Sequence, residues 1–166
     1  MIRIQVGGHD MYRKIRSFLE SWKASKNRKP LILQGARQVG KTFSILEFGK
    51  THYDNVAYFN FETNPRLSKT FEESISPDYL LPILSHIAKR TIIKDKTLIV
   101  FDEIQLCERA LTSLKYFCEL APEYHITAAA TSSFRRCLNP RRFFRIIFPA
   151  IGMSFPMFQP IRKIIS

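Results

Sequence analysis

Met11, Ile15, Phe18, Leu19 and Trp22 recur at helical spacing, with Arg13, Lys14, Arg16, Glu20 and Lys23 on the other faces. This pattern predicts an amphipathic helix over residues 10–24, its basic face turned to solvent. The stretch SKNRKP interrupts it, and Pro30 opens the apolar run Leu31-Ile32-Leu33, the kind of run that a strand buried on both faces shows. Residues 44–50 predict a helix and 56–61 a β-rich second strand, which closes on the turn signal ETNP. Leu80, Leu81, Ile83, Leu84, Ile87 and Ala88 mark a helix over 78–90 that carries Pro82 in its first turn, where proline is tolerated. A third strand at 97–101, a helix at 108–120 and a fourth strand at 125–129 complete the alternation. Strands alternating with helices predict an α/β domain with a parallel sheet.

The turn between the first strand and the following helix reads Gly35, Ala36, Arg37, Gln38, Val39, Gly40, Lys41, Thr42, a full match to G-x-x-x-x-G-K-[ST]. At average residue usage a chain of this length meets the pattern by chance in roughly 0.5% of cases. Its chemistry follows from its geometry. Glycines let successive backbone N–H groups turn inward on a phosphate chain, and the helix behind them adds the positive end of its dipole. Lys41 is then expected to reach the β- and γ-phosphates and the Thr42 hydroxyl to ligate Mg²⁺. The third strand runs into Asp102-Glu103. Because a parallel sheet aligns the carboxyl ends of its strands, Asp102 is expected beside this loop as the second metal ligand and Glu103 as the group that activates water. Alone, an acid pair after an apolar strand reads equally well as a helix cap.

The runs RKPLILQGARQVGKT, VAYFNFETNP, LIVFDEIQ and YHITAA resemble the AAA-type P-loop ATPases of prokaryotes that carry a C-terminal domain of unknown function. The resemblance covers residues 10–129, and GARQVGKT and FDEIQ are its most specific parts. It implies a three-layer P-loop NTPase sandwich of the additional-strand type, with the strand ending at Ala129 inserted between the phosphate-loop strand and the acid-pair strand. It also implies ATP rather than GTP as the nucleotide. By position, the resemblance brings Asn60 or Glu62 within reach of the catalytic glutamate, although an ordinary strand-end polar residue accounts for either. Where the family continues Gly-Ser and then Leu-Leu-Gly-Val, this chain reads Ala130-Thr131-Ser132-Ser133-Phe134, so Thr131 or Ser132 is left to stand in for the residue that senses the γ-phosphate.

Composition changes the picture mainly at the C-terminal end. The 166 residues are 45% hydrophobic and 24% charged, which is globular and suits one domain. The net charge of +12 is unevenly spread. Residues 1–130 hold 19 Lys and Arg against 14 Asp and Glu, whereas 131–166 hold seven basic residues and no acid. The expected organisation is therefore an N-terminal helix and linker over 1–29, an ATPase core over 30–130, incomplete at its C-terminus, and a basic tail over 131–166 foreign to the fold. Codons exist for Phe134 to Leu138 that, read from their second base, spell Leu-Gly-Val-Ala-Leu, so a tail translated out of frame fits the family's continuation.

The implied function is MgATP binding, with hydrolysis if the site is complete. The alternatives are a nucleotide-binding module without turnover, or a basic protein that binds nucleic acid through the tail arginines. A homo-oligomer or a protein partner is left open, as are catalytic roles for Arg37 and Arg109. Neither a secretory signal nor a bilayer-spanning run is evident, so a cytoplasmic protein with no membrane partner is expected. His9, His52, His86 and His125 have no ligand spacing, and Cys107, Cys118 and Cys137 lack a CxxC pair, so no further metal site is expected.

Overall fold

The computed structural model describes residues 8–131 and 144–147. Its elements are α1 (Gly8–Ala24), β1 (Leu31–Gly35), α2 (Lys41–His52), β2 (Asn55–Asn60), α3 (Arg66–Glu73), α4 (Pro77–Ala88), β3 (Thr97–Asp102), a short 3-10 turn (Ile104–Leu106), α5 (Glu108–Leu120), β4 (His125–Thr131) and β5 (Phe144–Ile147). The strands form one parallel sheet in the order β2-β3-β4-β1-β5. β4 therefore lies between the strand that precedes the phosphate loop and the strand that ends in the acid pair, as the resemblance implied.

Alternation along the strands divides the core into two layers, because successive side chains point to opposite faces. Leu31, Leu33, Leu98, Val100 and Ala129 pack with Ile15, Leu19 and Trp22 of α1 and with Ile45 and Phe48 of α2. Ile32, Ala57, Phe59, Ile99, Phe101, Ile126 and Ala128 face the other way, onto Leu67 and Phe71 of α3, Leu80 and Leu84 of α4, and Leu114 and Phe117 of α5. The result is three layers, helices on both faces of a sheet. α1 is anchored by more than its apolar stripe, since Trp22 donates its indole N–H to the Lys29 carbonyl at 2.8 Å.

α2 approaches the sheet at Gly49, where a Cβ would lie 2.6 Å from Val56 Cγ2 and 3.0 Å from Leu98 Cδ2. Only glycine allows that close approach, and it brings the helix that starts at Lys41 down onto the strands. Two helical segments went unpredicted: α3, and the 3-10 turn after β3. β5 lies within the stretch expected to form a basic tail, and its four residues pair in parallel with β1 from Leu31↔Phe144 to Gln34↔Ile147. The other expectations for the tail, among them Ser132 and the arginines from Arg135 to Arg142, lie outside the described residues.

Candidate functional site

The carboxyl ends of β1, β2, β3 and β4 meet at one edge of the sheet, the edge at which open α/β sheets place their ligands. β1 ends at Gly35, and the chain turns through Ala36 to Gly40 before α2 begins at Lys41. That turn needs left-handed backbone twice, at Gln38 (φ 60°) and at Gly40 (φ 82°). Glycine meets the second without a Cβ penalty.

Lys41 is buried, and its ammonium donates to the Gly35 carbonyl at 3.1 Å and to the Ala36 carbonyl at 2.6 Å, so the side chain folds back over its own loop. Burial lowers its pKa, and the carboxylates of Glu103 and Asp102 oppose that shift. A cation so held, beside the first turn of a helix, can accept an anion in exchange for two carbonyls.

Sixty residues further on, Asp102 arrives within reach of the loop. The Thr42 hydroxyl donates to Asp102 Oδ1 at 3.0 Å, and the Glu103 backbone N–H donates to the same oxygen at 3.1 Å. The other carboxylate oxygen accepts from the Tyr58 phenol at 2.7 Å and from the Asn60 amide at 3.3 Å. The β2–β3 register explains this convergence, since Asn60 is paired directly with Asp102, and Tyr58, two residues back, shares its face. Tyr58 is held as a donor, its pKa pushed up to about 12 by burial and by its bond to Asp102. Asn60 also caps the following turn by accepting from the Glu62 and Thr63 N–H groups at 2.8 and 2.9 Å.

The pair Thr42 and Asp102 offers a hydroxyl and a carboxylate converging at hydrogen-bond distance. That donor set fits Mg²⁺, a hard cation that takes one or two protein oxygens and keeps several waters. No cluster of three or more His, Cys, Asp or Glu ligands exists among the described residues, so a metal held wholly by protein is not on offer there.

Glu103 goes elsewhere. It stands in the left-handed region (φ 50°), and its carboxylate accepts from the Gln105 amide. The same Gln105 nitrogen donates to Thr131 Oγ1 at 3.1 Å, while the Gln105 oxygen accepts from the Thr131 N–H at 3.4 Å. Neither residue expected by position beside Glu103 contacts it. Asn60 bonds to Asp102 and to its own turn, and Glu62 pairs with Arg37 across 3.4 Å of exposed surface. Arg109 is spent on the Phe71 carbonyl at 2.6 Å, which fastens α5 to α3. Tyr58 had no motif to announce it, and Gln105 stood in the FDEIQ run with no role assigned to it. Tyr58 was detectable only through strand register, and Gln105 only through the 3-10 turn.

Comparison with known proteins agrees with this fold. A family described as AAA domain matches residues 27–141. The chain belongs to that AAA family, and with it is an ATP-binding AAA module. Among solved structures, the ORC1 protein of Aeropyrum pernix in complex with DNA superposes with a TM-score of 0.53 at 16% identity, covering 91% of this chain and 47% of that one. The RuvB Holliday junction branch migration motor of Thermotoga maritima gives 0.50 at 16% identity, covering 84% of this chain and 44% of that one. At that identity the likeness concerns the fold, which is that of AAA P-loop NTPases, and this chain spans less than half the length of either. No curated protein matches the sequence. Among the described residues no helix is long and apolar enough to cross a membrane.

Proposed function

We propose that this chain binds MgATP at the carboxyl edge of the sheet and hydrolyses its terminal phosphate. The observation that carries the reading is the 3.0 Å bond between Thr42 and Asp102, residues 60 positions apart that meet beside the buried Lys41 ammonium. A hydroxyl from the end of the loop, a carboxylate from the strand beyond β4 and a cation between loop and helix are the groups that a nucleotide triphosphate with its metal requires.

In this reading the backbone N–H groups from Ala36 to Lys41 cradle the phosphates. Lys41 exchanges the Gly35 and Ala36 carbonyls for β- and γ-phosphate oxygens. Thr42 and Asp102 would hold Mg²⁺, Asp102 through water. When bound, the metal neutralises charge that develops on the phosphate oxygens. Tyr58 and Asn60 fix the Asp102 carboxylate, so its orientation is set before the metal arrives. Glu103 orients the attacking water and accepts its proton. Its carboxylate serves because it is not consumed by the Thr42–Asp102 pair.

The test is MgATP affinity and phosphate release for the wild type, Lys41→Ala and Glu103→Gln. Lys41→Ala is expected to lose binding by at least roughly tenfold, the cost of removing a charge-assisted contact to phosphate. Glu103→Gln is expected to bind as the wild type does and to release no phosphate. Unchanged affinity in Lys41→Ala refutes the phosphate loop, and equal phosphate release by Glu103→Gln and the wild type refutes the role of Glu103.

A further inference from the structure

Glu103 is the residue on which turnover rests in the function proposed above, and its carboxylate is held by one amide. Gln105 reaches it from the 3-10 turn Ile104–Leu106. That turn is firmly based. Ile104 is fully buried in the core, Leu106 N–H donates to the Glu103 carbonyl at 3.0 Å, and Cys107 N–H donates to the Ile104 carbonyl at 3.0 Å. Both hydrogens of the Gln105 amide nitrogen are committed, one to Glu103 and one to the Thr131 hydroxyl, while its oxygen takes the Thr131 N–H. An amide satisfied at both ends by a strand terminus has little rotational freedom left, so the carboxylate it binds inherits a fixed position.

Thr131 is no arbitrary anchor. It is the last residue of β4 and is paired in register with Gly35, where the phosphate loop begins. A displacement of β4 relative to β1 therefore reaches Gln105 through two bonds and Glu103 through a third. The left-handed backbone of Glu103 adds to the case. A non-glycine residue there is strained and persists only where its surroundings over-determine it, and here those surroundings include the Gln105 bond.

We infer that Gln105 is a positioning residue for hydrolysis: it aims Glu103 and ties that aim to the end of β4, so that turnover responds to the state of the strand beside the phosphate loop. The inference rests on the hydrolytic reading of Glu103. Gln105 bonds to neither Lys41, Thr42 nor Asp102, so binding and turnover separate in its variants.

Four chains are compared with the wild type: Gln105→Ala, Gln105→Met, which keeps length without a donor, the near-isosteric Thr131→Val, and the double variant Gln105→Ala with Thr131→Val. Each is assayed for melting temperature, MgATP Kd by titration and single-turnover rate at saturating MgATP. Both Gln105 variants are expected to keep Kd within about twofold and to lose roughly ten- to a hundredfold in rate, the scale of a misplaced catalytic group. Thr131→Val is expected to lose rate as well, and the double variant to be no slower than the slower single, since groups acting as one unit are not additive. Wild-type rates in both Gln105 variants overturn the inference, as does a Kd that weakens in step with the rate. Losses that multiply in the double variant overturn the link to β4. A wild type that binds MgATP without turnover overturns the hydrolytic reading and this inference together, whereas turnover that stays normal in both Gln105 variants overturns the inference alone.

Discussion

Acid should weaken this protein through one buried imidazole. His125 opens β4 at the amino edge of the sheet, far from the phosphate loop, and is 4% exposed. Its Nδ1 lies 2.7 Å from the Tyr53 hydroxyl, while its Nε2 meets the Arg28 guanidinium and lies 3.0 Å from Asp95 Oδ1. Arg28 can only donate, so the neutral ring accepts from it at Nε2 and turns its own N–H toward Tyr53. Burial first, and then the Arg28 charge with a smaller part from Lys23, hold the imidazole down to about 4 from its ordinary 6.5, against Asp95, which raises it.

The sign follows from which state holds the proton. Between pH 6.5 and 4 the unfolded chain protonates His125 and the folded chain does not, so stability falls with pH across that window and levels off below it. Linkage gives a loss of about 2 kcal/mol between pH 7 and pH 5, rising to about 3 kcal/mol by pH 4. Urea unfolding followed by Trp22 fluorescence measures it, because Trp22 is the single tryptophan and its ring stands 6.2 Å from His125. His125→Gln keeps an acceptor for Arg28 and removes the titration. The variant is expected to start lower at pH 7 and to lose little more by pH 5. A pH slope in His125→Gln equal to that of the wild type would refute the assignment.

Gly49→Ala should destabilise the fold by about 1–3 kcal/mol, since its Cβ would meet the stiff, β-branched Val56 at 2.6 Å; the shift in urea midpoint measures it, and a wild-type midpoint would show that α2 has room to spare. Asp102→Asn removes the charge beside Thr42, so the gain in ATP affinity that Mg²⁺ brings to the wild type should vanish in titrations run with and without the metal. An Mg²⁺ response undiminished in that variant would remove Asp102 from the metal site.

β1 to β4 were legible because each is an apolar run with turn signals nearby, whereas β5 lay in a stretch read only for its charge. β3 shows it best: Thr97 to Asp102 are all buried, and the sequence LIVF marks all but the ends. Periodicity marks α2 only from residue 44 onward, although the helix begins at Lys41, because its first turn is spent on the phosphate loop and its apolar period begins only at Ile45. α3 escaped for a related reason. Eight residues with only Leu67 and Phe71 buried give one helical interval, which hydrophobic periodicity does not separate from a loop. The contact to Glu103 that the resemblance allowed for Asn60 or Glu62, beside the plainer reading of a strand-end polar residue, is ruled out for Asn60 by register. Pairing sets Asn60 beside Asp102, and no spacing within one strand reveals which residue of the next it faces.

That register and one backbone torsion together explain how two adjacent acids come to serve different partners. Had the extended conformation of β3 continued through residue 103, strand alternation would have sent the two carboxylates to opposite faces of the sheet. Instead the left-handed φ at Glu103 ends the strand and starts the 3-10 turn that carries Gln105. Asp102, still within the strand, is gripped by Thr42 from β1's loop and by Tyr58 and Asn60 from β2. Glu103, just beyond it, is gripped by Gln105 and, through Gln105, by β4. Three strands thus converge on a dipeptide through separate sets of bonds. The inserted position of β4 makes this possible, because it puts Thr131 beside Gly35 on one side and within reach of the turn after β3 on the other.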